Sequence, residues 1–203
     1  MCNKMPILTS VFLLIMLIAF FARRGKDKYA QEQEDFWERE RRANSTRRKS
    51  LDGLNYLTIP WDRLPTEVCT DDERIAEYID TIRNLKDTKI VNLTGISNTD
   101  LKLQYGAPNI TELTIYDQRY TALASTLQRW ADALIQKGEK DAARTVLEYA
   151  VETGTDVSGT YKLLADIYDK EGNKEAIRGL LPAAEALNTP MKDAIIRSIN
   201  ERL

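Results

Sequence analysis

One stretch of backbone punctuation occurs twice near the carboxyl end, and it constrains the fold more than any other feature. Gly138 and Gly172 stand thirty-four residues apart, each followed by a short charged segment and an alanine at 142 or 176. Laying 124–157 over 158–191 matches Leu127 with Tyr161, Trp130 with Leu164, Ala131 with Ala165 and Leu134 with Tyr168. It also matches Leu147 with Leu181 and Ala150 with Ala184. Within each copy the apolar positions recur at helical spacing: 123, 127, 130, 131 and 134, then 143, 146, 147 and 150. The second copy has 161, 164, 165 and 168, then 177, 180, 181 and 184. The glycines fall where helices end, so each copy predicts two antiparallel helices joined by a tight turn. A helix with one apolar stripe must bury it against a neighbour, and successive hairpins therefore have to stack.

Thirty-four residues is the tetratricopeptide period, and over about 70 of its 203 residues the chain resembles the tetratricopeptide repeat family. The match departs from the family pattern in places. Ala143 occupies the small position of the second helix, but its counterpart is Ile177, and Thr155 and Thr189 stand where the closing proline is expected, with Pro190 one place late. The resemblance implies a module that binds a protein partner on a concave face lined by the first helix of each hairpin. On this sequence that face comprises Ser125, Gln128, Asp132, Gly159, Lys162, Asp166 and Asp169. Family members that capture a terminal carboxylate use a lysine and asparagine clamp. Here Lys162 is accompanied by Asp132 and Asp166, so the resemblance implies basic or neutral partners instead. Two copies do not close a solenoid core, so 110–123, the 71–86 helix and a final helix to Leu203 are expected to supply the missing neighbours. Pro182 should kink or restart the second helix of the second copy. Thr189-Pro190 reads as cap and first residue of the final helix, whose apolar face is Ile195, Ile196 and Ile199.

The amino end is different in kind. Residues 6–22 are apolar apart from Thr9 and Ser10 and carry no charge. Seventeen residues at 1.5 Å each extend about 25 Å, at the short end of the transmembrane range. Bulky Phe20 before a notional cleavage site argues against a signal peptide. The expectation is therefore a single-pass transmembrane helix. Arg23, Arg24, Lys26 and Lys28 follow it directly, which places the amino terminus outside and the carboxyl-terminal domain in the cytoplasm of a cell-membrane protein. Residues 23–50 hold ten basic and six acidic side chains, whereas 51–203 hold eighteen basic and twenty-five acidic. The basic strip, extended by Arg41, Arg42, Arg47, Arg48 and Lys49, is expected to meet anionic headgroups of the bilayer. It lacks the aromatic interleaving of a nucleic-acid patch, and no nucleic acid is expected. The layout as a whole resembles single-pass membrane-anchored bacterial proteins, a resemblance that brings no activity with it.

Between strip and repeats, LNYLTIPWDRLP at 54–65 suggests a short strand at 55–59, and 89–94 a second that pairs with it. Thr70 to Glu73 has the spacing of a capping box. Asp71, Asp72 and Glu73 are read as helix-dipole partners rather than metal ligands. Ser97 to Asp100 opens a short helix that ends at Tyr105-Gly106. The expected organisation is a tail at 1–5, the membrane helix at 6–22, a basic juxtamembrane helix at 23–50, a small α(+β) region at 51–109 and the repeat domain with its capping helix at 110–203. The fold class is mainly α.

The chain has no histidine, which removes Ser-His-Asp and Cys-His nucleophile systems and histidine-ligated zinc. Cys2 and Cys69 make neither a disulfide framework nor a four-cysteine metal site. No Gly-rich phosphate loop or nucleophile elbow is visible. Asn44, Asn92 and Asn109 begin Asn-x-Ser/Thr triplets, which matter only in a glycosylating compartment. The reading is a membrane-anchored adaptor or scaffold without catalytic activity, cofactor or metal, holding an unidentified protein partner. A hydrolase or other enzyme working without histidine and a self-associating structural protein are the alternatives.

Overall fold

A computed structural model describes residues 5–203; of 5–11, 15, 19 and 22–30 it describes the backbone alone. The tail at 1–4 and the side chains of Arg23, Arg24, Lys26 and Lys28 lie outside the described residues. The chain is mainly helical and packs as two units.

The first unit joins α1 (Met5–Ser45), the segment to Lys49 and Asn98–Pro108, which contains α3 (Asn98–Tyr105). α1 carries the apolar run of the amino end and continues unbroken into charged sequence. Among the described residues no helix is long and apolar enough to cross a membrane. This overturns the expected single-pass anchor, and with it the membrane localisation and its orientation. The physical reason is length: an apolar run of about 25 Å falls short of a hydrocarbon core of about 30 Å, and the helix then continues through Glu32, Glu34, Asp35 and Glu38. Arg39 pairs with Asp100. Glu40 accepts from the Thr99 hydroxyl and faces Lys102 at 3.3 Å, contacts that hold its carboxyl below the usual range, the Thr99 bond foremost. Past α1 the chain crosses the end of α3: the Lys49 amide donates to Tyr105 O (3.0 Å) and the Ala107 amide to Thr46 O (3.0 Å). Gly106 turns this corner at φ +96°, where a Cβ would stand 2.2 Å from Arg47 O.

The second unit comprises Ser50–Ser97 and Asn109–Leu203. In its first part, α2 (Glu73–Leu85) is capped by Asp72, whose carboxylate accepts from the Arg74 and Ile75 amides. The cap thus sits two residues beyond Thr70. α2 buries Ile75, Ile79 and Ile82. The expected strands reduce to one antiparallel bridge, Tyr56 to Val91, with the Leu57 amide donating to Ile90 O at 2.9 Å. The ladder stops because 91–94 is tied elsewhere. The Leu93 amide donates to Asp117 (3.3 Å), and Asn92 Oδ1 accepts from the Thr94 amide (3.0 Å).

The long helix α4 (Ile110–Lys137) follows, then α5 (Lys140–Glu152), α6 (Ser158–Lys170), α7 (Lys174–Gly179), α8 (Leu181–Glu185) and α9 (Lys192–Asn200). The apolar positions of the repeat are the core: Leu127, Trp130, Ala131, Leu134, Val146, Leu147, Tyr161 and Leu164 are all fully buried. α2 packs on α4, and α9 packs on α6 and α8, which supplies neighbours on both flanks. Pro182 falls in the first turn of α8, so the helix breaks after Gly179 and restarts. The last helix begins at Lys192, two residues later than Pro190 suggests, and the Thr189 hydroxyl donates to Asp156 (2.9 Å).

The backbone hydrogen bonds of the two hairpins coincide at an offset of thirty-four residues. Gly138 N donates to Ile135 O and Gly172 N to Asp169 O, both at 3.0 Å, while Glu139 N reaches Leu134 O and Asn173 N reaches Tyr168 O, both at 2.9 Å. Gly138 and Gly172 adopt φ +88° and +69°. The following turns match as well, with Thr155 Oγ1 accepting from the Val157 amide (3.2 Å) and Thr189 Oγ1 from the Met191 amide (3.4 Å). Leu134 is fully buried at the foot of the first turn, so Leu134→Ala should cost about 2–5 kcal/mol in urea denaturation of the full chain. A loss below about 1 kcal/mol would show that α4 is not anchored there.

Candidate functional site

The seven residues proposed for a partner face lie on α4 and α6, and the structure uses most of them internally. Gln128 sits against Gly159, where a Cβ would stand 3.2 Å from its Nε2, so Gly159 lets the two helices approach at this point. Ser125 returns its hydroxyl to Thr121 O (2.8 Å) on its own helix. Asp132 accepts from Gln136 (2.9 Å). Asp166 pairs with Arg202 at 2.6 Å, and Asp169 with Lys174 at 2.6 Å, which draws its carboxyl below the usual range. Lys162 is exposed and forms no ion pair among the described residues. Two of the three aspartates are therefore neutralised from within. Between the ends of α4 and α6 lies a small groove of about 150 Å³, floored by Ile135, Leu163 and Ile167 and rimmed by Asp166, Lys170 and Glu171. The resemblance placed Asp166 on this face but left out the apolar floor, because Leu163 and Ile167 fall outside the apolar stripe of 161, 164, 165 and 168.

Of the basic strip, Arg41 and Arg42 are exposed. Lys49 Nζ donates to Leu103 O (3.0 Å) near the negative end of α3, and Arg48 reaches Pro108 O (3.4 Å). Arg47 meets Gly106 through its backbone.

A second, larger cavity of about 610 Å³ was not anticipated. Its two walls are the extended segments around the Tyr56–Val91 bridge and the turns that follow α5 and α8. Asn55 and Leu57 alternate along one extended segment and Asn92 and Thr94 along the other, the spacing that puts side chains on one face of a ribbon. Opposite stand Thr153-Gly154 and Asn188-Thr189, of which Gly154 and Asn188 are thirty-four residues apart. Asn92 is the tie between the walls: its Nδ2 donates to Tyr120 Oη (2.9 Å), Thr153 O (3.2 Å) and Gly154 O (3.0 Å). In the sequence Asn92 showed only as part of an Asn-x-Thr triplet, since its partners lie 28 to 62 residues away. Asn109, in a second such triplet, is buried.

Behind the turn, burial pushes the Tyr120 phenol up, and pushes Tyr161 up to about 12 with Asp156 adding to the effect. Ser158 Oγ, Thr160 Oγ1, Tyr161 Oη and Trp130 Nε1 are buried without a hydrogen-bond partner among the described residues. No group of three or more metal-ligating side chains occurs among the described residues. Cys69 is half-buried with a free thiol. The chain matches no family model, no curated protein and no solved structure.

One electrostatic tie spans the repeat core and its flank. Asp72, the cap of α2, also faces Lys137 Nζ at 2.8 Å at the end of α4. That bond, reinforced by the Ile75 and Arg74 amides, draws the Asp72 carboxyl from 3.8 to about 2. Its folded value lies below its unfolded one, so its contribution is complete above the unfolded value and is lost as pH falls from about 3.8 to about 2. Asp72→Asn keeps a capping oxygen and removes the charge. The stability gap between the parent and this variant should be constant near neutrality and close across that window in chemical denaturation. A gap that stays constant down to the lower limit would contradict it.

Proposed function

We propose that the second unit is a tetratricopeptide-like module that holds a protein partner on the face shared by α4 and α6. The observation that carries this reading is the coincidence of turn hydrogen bonds and left-handed glycines in the two hairpins at an offset of thirty-four residues. In such an array the first helices, α4 and α6, share one face, and on it the groove over Leu163 and Ile167 offers a place for one apolar side chain of a partner. The rim mixes Lys140, Lys170 and Glu171, while Asp132 and Lys162 lie further along the same helices. A patch of this kind uses a buried anchor for affinity and charges around it for register.

Asp132 and Lys162 carry no interhelical ion pair, so reversing their charges probes the face without breaking the scaffold. Crosslinking with the full chain in its native cells should recover a specific partner. The double variant Asp132→Lys/Lys162→Glu should weaken that recovery about tenfold, equivalent to about 1.4 kcal/mol. Undiminished recovery from a variant with an unchanged melting temperature would remove this face from the proposal.

A further inference from the structure

The larger cavity has a chemistry of its own, separate from the α4–α6 face and independent of the reading given for it. Its volume of about 610 Å³ falls within the range of about 300–1,000 Å³ typical of ligand sites. One charged residue lines it, Glu152, and Arg63 covers that carboxylate with two parallel bonds of 2.7 and 3.1 Å. No lysine or arginine lines it, so phosphate and carboxylate ligands find no counter-charge. No aromatic ring lines it either, so a sugar or base finds nothing to stack on.

What remains are amides, hydroxyls and aliphatic side chains. Asn92 is spent on the scaffold, and Thr189 is spent on Asp156 and the Met191 amide. Asn188 donates through Nδ2 to Gly95 O (3.1 Å), which leaves its Oδ1 as an acceptor. Asn55 is exposed, and neither its side chain nor the Thr94 hydroxyl bonds to another described group. A carboxamide presents one acceptor and two donors, the complement of the C=O and N–H of a peptide unit. Leu57, Val151 and Leu187 supply apolar surface between these readers.

We propose that this cleft binds an extended, uncharged peptide segment of a partner protein, gripped through its main chain by Asn55, Thr94 and Asn188. The apolar wall takes the small side chains that alternate along such a strand. The two walls are fixed to each other through Asn92 and through the Asn188–Gly95 bond, so the site is formed before the peptide arrives.

The test is titration of the full-length protein with end-capped pentapeptides of Ala, Ser, Val and Asn, followed by NMR of the asparagine side-chain amides. Matched peptides carrying two Lys or two Glu, and a neutral oligosaccharide, complete the panel. The neutral peptides should bind saturably with Kd about 0.1–1 mM. Asn55→Leu and the cleft-filling Ala186→Trp should each raise that Kd about tenfold, and Glu77→Lys, exposed on α2 and outside the cleft, should leave it unchanged. Asn55 makes no internal bond, so its variant serves even if Ala186→Trp fails to fold. Absence of saturable binding, equal binding of the charged peptides, binding of the oligosaccharide alone, or undiminished binding by Asn55→Leu would each overturn the proposal.

Discussion

Everything in the second unit depends on α4 being buried on more than one side. At 28 residues it is twice the length of the other helices around it, and α2, α5 and α6 all pack against it. Its buried residues run from Leu113 to Leu134, too many for one stripe. A helix of this composition is unstable alone in water and gains its stability from the neighbours that cover it. Those neighbours have to arrive in a fixed register, and the left-handed glycine turns set that register. Gly138 brings α5 back along α4, Gly154 and Thr155 send the chain out again, and Gly172 repeats the return.

The same arrangement explains which parts of the fold were legible in the sequence. Helix positions such as Leu127, Trp130, Leu147 and Leu164 announce themselves because burial and helical period agree at each of them. The break at Pro182 is legible for the same reason, since a missing amide hydrogen has the same effect in any context. Within 55–94 the helix at 71–86 and the meeting of the two extended segments are present, but the strands shrink to one bridge because their pairing is decided by distant groups. Asp117 and Asn92 take amides that a strand ladder needs, and nothing local in 89–94 reveals this. The apolar run at the amino end was misread for the opposite reason. Its composition suggests a bilayer, but its extent is set by the charged sequence into which α1 continues.

The candidate sites divide along the same line. The residues of the α4–α6 face came from the resemblance to tetratricopeptide repeats, which says nothing of their partners. Arg202 and Lys174, which neutralise Asp166 and Asp169, lie 36 and five residues away and turn an apparently acidic face into a mixed one. The cavity beside the turns was invisible because its walls come from four separate stretches, each of them unremarkable in sequence. Gly154 and Asn188, thirty-four residues apart, both line this one cavity.

The chain leaves the second unit after Ser97, completes the first unit with Asn98–Pro108, and returns at Asn109. The first unit is thus assembled from two stretches, and the second is interrupted by one of them. A fragment starting at residue 50 retains α3 but loses Arg39, Glu40 and the Lys49 amide, the groups that pair with Asp100, Thr99 and Tyr105. Excising the repeat domain therefore requires two cuts and a short bridging loop in place of 98–108. Conversely, a nick at either crossing leaves both pieces held by non-covalent contacts, so limited proteolysis can sever the backbone without releasing a fragment.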